Sequence, residues 1–470
     1  MHRQKWGTRL LAAGTGLCSG ISAGFLITEG DLLGLVAAGS CVAAALGLSY
    51  AVLSPASRRQ VLPLVTFATL LRVMAAVVLY DGLLAAGRGG FVTGDDAGYF
   101  DLSSRLAQIL HGGTAAFDYK GESYLLGTFV YLETAVFYIF GPKVLLVELL
   151  NAAMGGLLVA FAFEIARRLF EATAGVVAAV LVAIYPSLVL WSALNLKDSL
   201  TLALIALVLW TVLLFQEKRA MWLIPAAFAP LVLMESLRNY IFVGLILVIP
   251  AAIAFTPRLR LKDRAIAGFL AVGLAVLLLV TGPTGTRGGI PSLAELEAER
   301  AAMGVGANTS FAEPLPTPPT AGSQRTPGES AGSDEVVVRT FRYLPRAAAY
   351  VLFAPFPWSA RRTLDLAVLP EMLIWYLALG GALFVLVWHR RTWGALVPLI
   401  FFVGGTLLVL ALAEGNVGTL FRHRAMVIPF VLILASPAFA LLFSRSAARS
   451  PDVARARVWT AGDGRTGRIG

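Results

Sequence analysis

Apolar runs of roughly 17 to 25 residues recur along this chain, and a run of that length is what an α-helix needs to cross a bilayer. They govern everything else the sequence can do. Candidate spans lie near 10–28, 32–53, 61–84, 144–163, 174–192, 199–215, 221–236, 240–255, 265–282, 370–388, 394–413 and 425–443. The expectation is an all-α polytopic membrane protein with about 12 transmembrane helices. Of the 470 residues, 58% are hydrophobic and only 14% charged. The mean hydropathy is +0.77. Soluble domains carry about 25% charged residues.

The formal net charge of +10 fits the excess of Lys and Arg in cytoplasmic loops of membrane proteins. No basic–aromatic domain is present to bind nucleic acid. Cys18 and Cys41 fall inside apolar runs and read as small core residues. The basic N-terminus from Met1 to Arg9 precedes a long apolar stretch without a clear small-x-small site. It reads as a retained first span.

Basic clusters assign the sides. With Arg3, Lys5 and Arg9 in the cytoplasm, Arg58-Arg59 is inside after two spans, and the polar segment after the third span is outside. The apolar run 124–140 then decides the rest. If it lies along the membrane, Arg167-Arg168, Lys218-Arg219, the basic cluster from Arg258 to Arg264, Arg390-Arg391 and the tail from Arg445 are all cytoplasmic. If it crosses, all of them face out. It is also interrupted by Gly127 and Glu133, so it is expected as a juxtamembrane helix on the outer face. The chain divides into N-terminal spans (1–84), an outer loop with juxtamembrane helices (85–143) and a central bundle (144–282). An outer Pro/Gly-rich loop with an interfacial segment (283–369), C-terminal spans (370–443) and a basic cytoplasmic tail (444–470) complete it. Within 283–345 a capping box at Ser292-Leu293-Ala294-Glu295 starts one short helix, and the rest is expected to be irregular.

This topology gathers a charged set on the outer face. Asp95-Asp96 stands in Thr93-Gly94-Asp95-Asp96-Ala97-Gly98-Tyr99, at the start of an amphipathic helix. The bland role of the pair is to cap that helix; the active one is to take a proton from an acceptor hydroxyl. Lys197-Asp198 stands where two spans meet. Asp198 either caps the second span or supports a site, and Lys197 would lie near an anionic group. Arg238 sits at a short outer turn, where it either snorkels or binds substrate. Arg422-His423-Arg424 precedes the last span. Arginine forks suit phosphate oxygens, so a diphosphate or phosphodiester at the membrane surface is the natural ligand. Arg72, Asp81, Glu148 and Glu164 lie within spans, and Arg72, nearest mid-span, should face protein.

An acidic pair after an early span, surface helices, an outer aspartate and a terminal outer arginine resemble, in that order, the GT-C membrane glycosyltransferases. The branch is that of protein O-mannosyltransferases and aminoarabinose transferases. Asp95-Asp96-Ala97-Gly98-Tyr99 resembles the family's acidic pair followed by tyrosine. Tyr124 to Gly141 resembles its juxtamembrane helix ending in Phe-Gly, and Asn151 to Asp198 resembles its best-marked stretch. The family's Asp-Glu is here Asp-Asp, its Pro-Pro is replaced by Glu122-Ser123-Tyr124, and the first two spans have no counterpart.

The resemblance implies an integral membrane enzyme. It would move a sugar from a polyprenyl-phosphate donor to an unidentified acceptor on the non-cytoplasmic face, with inversion. Asp95 or Asp96 would be the base, supported by Asp198. Lys197, Arg238, Arg422, His423 and Arg424 would bind substrate. Asp95 and Asp96 could hold a divalent metal, for which Asp198 or His423 are the only further outer ligands. Membrane lipids and the lipid-linked donor are the expected partners, and both termini face the cytoplasm. The alternative is an O-antigen-type polysaccharide polymerase or ligase that uses lipid diphosphate-linked glycans. A flippase would instead line a mid-membrane path with charge.

Overall fold

The computed structural model describes residues 2–116, 126–256, 259–281, 300, 333–358, 363–388 and 393–448. Every regular element among them is a helix. Helices α1 (His2–Thr28), α2 (Leu32–Val52) and α3 (Pro55–Ala85) lead to α4 (Gly94–Leu110) and α5 (Thr128–Phe140). The centre of the fold is α6 (Val144–Leu169), followed by α7 (Ala172–Ile184), α8 (Pro186–Trp191), α9 (Asp198–Lys218), α10 (Leu223–Leu237), α11 (Asn239–Ala254) and α12 (Leu261–Thr281). After them come α13 (Ser333–Phe353), α14 (Thr363–Trp388), α15 (Trp393–Ala413), α16 (Val417–Arg424) and α17 (Ile428–Ala448).

Among the described residues, seven helices are long and apolar enough to cross a membrane, or up to eight if α16 and α17, bent by 60° at their break, form one span. Three of the twelve expected spans, at α7, α10 and α11, are helices of 13, 15 and 16 residues, short of the roughly 20 a straight crossing requires. The expected helix near 293–303 falls mainly outside the described residues. The loop expected to run irregularly to residue 345 is already helical from Ser333, as the first half of α13.

The core is built around α6, which is buried along almost its whole length. Close approach explains how. A Cβ added at Gly156 would fall on Thr69 Oγ1 of α3, and one at Gly155 would meet Arg72 Nε at 2.6 Å. Small residues let the two backbones approach in an apolar medium, where association rests on packing.

The expected span 174–192 is broken at Pro186, and the break accounts for the buried Arg72. Proline has no N–H to give Val182, and the chain leaves the helix there. Arg72, with no exposed surface, donates to Val182 O at 3.0 Å, Ala183 O at 3.0 Å and Ala68 O at 2.9 Å. The Ser187 N–H, past the break, donates to Glu371 Oε2 of α14 at 3.0 Å. Intramembrane charge here satisfies backbone that a proline set free.

The two ends of the bundle are pinned separately. At one, the buried Glu164 accepts from Ser54 N at 2.9 Å and from Arg167 at 2.7 Å, and Arg168 pairs with Glu217. At the other, Lys143 meets Asp31, the N-cap of α2, at 3.3 Å. The candidate site forms at this second end.

Candidate active site

The first turn of α4 treats its two aspartates differently. Thr93 is the N-cap, and Asp96 is the third residue of a capping box. Asp96 is buried and its carboxylate accepts from Val92 N at 2.7 Å, Thr93 N at 2.9 Å, Thr93 Oγ1 at 2.9 Å and Ala97 N at 3.0 Å. The neighbouring Asp95 points away from the helix end. Its side chain is 58% exposed, and its Oδ2 accepts from Arg422 Nη1 at 2.6 Å. Consecutive helical residues diverge by about 100°, so the pair does not converge on one ligand. Among the described residues no group of three or more His, Cys, Asp or Glu could hold a metal ion. Asp96 in particular has its oxygens committed to its own helix end.

Asp198 opens α9, yet its carboxylate caps nothing. It is fully buried and accepts from Arg238 Nη2 through Oδ1 and from Arg422 Nε at 2.9 Å through Oδ2, which also lies 2.9 Å from Arg422 Nη2. Arg238 comes from the break between α10 and α11 and also reaches Tyr240 Oη at 3.4 Å. Arg422 comes from α16. One buried aspartate thus binds together three elements far apart in sequence. The positive end of the α9 dipole favours its charge as well.

The Lys197 ammonium makes no hydrogen bond or ion pair among the described residues and lies 5.7 Å from the Tyr99 ring centroid. Burial, then the nearby Arg238 charge, pushes it down to about 8. The same burial pushes the Tyr99 hydroxyl up to about 12. Lys197, Arg238 and Arg422 against Asp95 and Asp198 leave one net positive charge. A site with an unpaired cation suits an anion.

The basic triplet of α16 splits. Arg422 joins the cluster. His423 Nδ1 pairs with Glu414 Oε1, and its ring stands 6.1 Å from that of Tyr240. Arg424 turns away from both. It is buried, donates to Ala354 O at 2.6 Å and Val351 O at 3.3 Å, and packs over Trp375. It stitches α16 to the end of α13. Residues two apart on a helix point about 200° from each other, so Arg422 and Arg424 cannot grip one phosphate.

Sequence reasoning passed over a second layer. Glu133 of α5 is fully buried, with Oε2 accepting from Ser103 Oγ at 2.9 Å and Oε1 from Asn195 Nδ2 at 2.7 Å. Burial pushes its carboxyl up to about 7, against those two hydrogen bonds. Asn195 Nδ2 also donates to the Asp96 carbonyl at 3.2 Å, and Asn151 of α6 donates to Leu194 O at 2.8 Å and Leu196 O at 2.9 Å. A lone acid in an apolar helix was the available signal. At the start of α5, Thr128 N donates to Ser236 Oγ at 2.9 Å, which docks this helix beside Arg238.

Residues 128–282, from α5 to α12, match the family described as dolichyl-phosphate-mannose-protein mannosyltransferase. The acidic turn of α4 and the arginine of α16 lie outside that stretch. The fold is similar to that of the archaeal oligosaccharyltransferase AglB from Archaeoglobus fulgidus, solved with an inhibitory peptide and a dolichol-phosphate. The TM-score is 0.51 at 15% identity, over 89% of this chain and 53% of that one. The apo form of the A. fulgidus oligosaccharyltransferase gives a TM-score of 0.49 at 16% identity, over 89% and 54% of the two chains. The chain spans about half the length of these solved structures. Comparison with curated proteins gave no match. Among the described residues the chain is all-helical with a GT-C-like fold, and its α5–α12 stretch matches the mannosyltransferase family, as the resemblance read from the residues implied.

Proposed function

We propose that the protein transfers a sugar, with inversion, from a polyprenyl-phosphate donor to an acceptor hydroxyl at the non-cytoplasmic membrane face. The observation that carries this reading is the double engagement of Arg422. One guanidinium bonds both the exposed Asp95 and the buried Asp198, which joins a base to a cationic clamp. The basic residues support this sidedness: Arg167, Arg168 and their partners sit at the end that includes Glu164, away from Asp95.

In the resting state Asp95 is tied to Arg422. A donor phosphate oxygen competes for that guanidinium and frees Asp95 to accept a proton, so the base becomes available when donor is bound. Asp95 then takes the proton of the acceptor hydroxyl. The acceptor oxygen bonds the anomeric carbon as the bond from that carbon to the phosphate oxygen breaks. The electron pair leaves with the lipid phosphate, whose growing charge meets Arg422, Lys197 and Arg238. Asp198 holds the two arginines apart and oriented. Asp96 preserves the turn that presents Asp95. No covalent intermediate on the enzyme and no step through a metal is required. The dolichol-phosphate bound by the archaeal protein of similar fold supports a lipid monophosphate as donor.

The test is transfer of labelled sugar from polyprenyl-phosphate donors by membranes containing wild type, Asp95→Asn, Arg422→Ala or, as control, Arg342→Ala on the exposed side of α13. Loss of transfer in the first two variants but not the control, with equal expression, is the expected result. Turnover with lipid diphosphate donors only would favour the polymerase reading, and full activity of Asp95→Asn would remove the base assignment.

A further inference from the structure

Glu133 stands outside the charge cluster and touches none of its cations, yet it lies where three parts of the site meet. It belongs to α5. Through Ser103 it holds the body of α4, and through Asn195 the turn that leads into Lys197 and Asp198. Asn195 completes a triangle by donating also to the carbonyl of Asp96, which is the backbone of the α4 first turn. Ser103 and Asn195 are as buried as Glu133. The turn has independent support from α6, because Asn151 holds Leu194 and Leu196. Among the described residues the first turn of α4 makes no such hydrogen bond to α6. Its polar fixing to the turn runs through Glu133 and Asn195, while the Tyr99–Phe129 and Phe100–Phe137 edge contacts, at 5.3 and 5.4 Å, pack it against α5. Asp95 must sit on α4 while Asp198 sits on α9, and Arg422 bridges them with bonds of 2.6 and 2.9 Å. Bonds that short leave little room for α4 to drift.

We propose that Glu133 is a positioning residue: through Asn195 it fixes the first turn of α4 against the Lys197–Asp198 turn and so sets the distance from Asp95 to the phosphate clamp. This rests on the function proposed above. A placement error of about 1 Å in a reacting group costs on the order of 100-fold in rate. The group Glu133 offers is a pair of hydrogen-bond acceptors, and glutamine retains the acceptor that Asn195 uses and places an amide beside the Ser103 hydroxyl, which can accept. Charge itself is not required.

Two measurements test this. In sugar transfer, Glu133→Ala should lower kcat by about 10- to 100-fold with donor KM altered less than about threefold, and Glu133→Gln should restore kcat to within about threefold. Asn195→Ala should resemble Glu133→Ala, and the double variant should be no worse than either single one, since both remove one link. Separately, spin labels on cysteines replacing Gly94 and Thr419 report the distance between α4 and α16 without turnover. That distance should broaden or shift in Glu133→Ala and stay as in the parent in Glu133→Gln. An unchanged distance in Glu133→Ala overturns the proposal. So does a glutamine variant as impaired as alanine, which would make the carboxylate itself reactive. A shifted label distance in a protein that transfers no sugar from any donor would keep the positioning role and discard the transferase reading.

Discussion

Replacing Asp198 by asparagine should make the protein less stable, tighter for anions and slower, all at once. The carboxylate is fully buried between Arg238, 6% exposed, and Arg422, 12% exposed. Asparagine keeps one acceptor oxygen but turns an amide donor toward one guanidinium and removes the charge that balanced both. Taking one partner from a buried ion pair costs about 3–5 kcal/mol, because the remaining charge is left uncompensated. Asp95 can still serve Arg422, so the lower end of that range is expected. Thermal unfolding of the purified variant in detergent should show a clearly lower midpoint. The cluster meanwhile goes from one net positive charge to two. An added unit of attraction at 4 Å is worth about 4 kcal/mol at an effective dielectric near 20. With about a third surviving desolvation and ordering, polyprenyl phosphate should bind roughly tenfold more tightly. Added lipid phosphate should therefore raise the variant's midpoint more than that of wild type. Transfer should fall by about 100-fold as Arg422 loses its anchor. A variant as stable as wild type, with the same affinity for lipid phosphate, would refute the claim that Asp198 neutralises and orients the clamp.

Two further outcomes are expected. Lys197 is pushed down to about 8 by burial and Arg238, and an anion binds its charged form, so kcat/KM for the donor should fall as pH rises through about 8. Lys197→Arg, which stays charged, should lose that inflection; its persistence would assign the titration to another group. A Cβ at Gly156 falls on Thr69 Oγ1, so Gly156→Ala should destabilise by about 1–3 kcal/mol. Adding Thr69→Ala should recover part of the loss in thermal unfolding, and no recovery would deny that α3 and α6 meet there.

Hydropathy and basic clusters were enough to read an all-helical, membrane-type chain with Asp95, Asp198, Arg238 and Arg422 on one side. Those signals are local: apolar runs set where helices lie, and alternation of basic loops sets which ends share a face. Four of the residues named from that argument do meet in one charge cluster, with Lys197 beside them. A helix ending at Gly141 was equally legible, and Thr128–Phe140 forms it. The span through Pro186 was misjudged as continuous because composition does not register a missing N–H.

The division of labour among neighbours was not legible. Asp95 and Asp96 are chemically identical and adjacent, yet one faces Arg422 and the other closes its own helix end. Arg422 and Arg424 share a turn, yet one binds Asp198 and the other the carbonyls of Ala354 and Val351. Glu133 read as an interruption and proved to be a link between α4 and the Asn195 turn. Each outcome depends on the rotation of a helix about its axis and on partners up to 327 residues away in sequence. The residue order fixes the angle between neighbouring side chains on a helix; only the packing of that helix against the others fixes which of them points into the site.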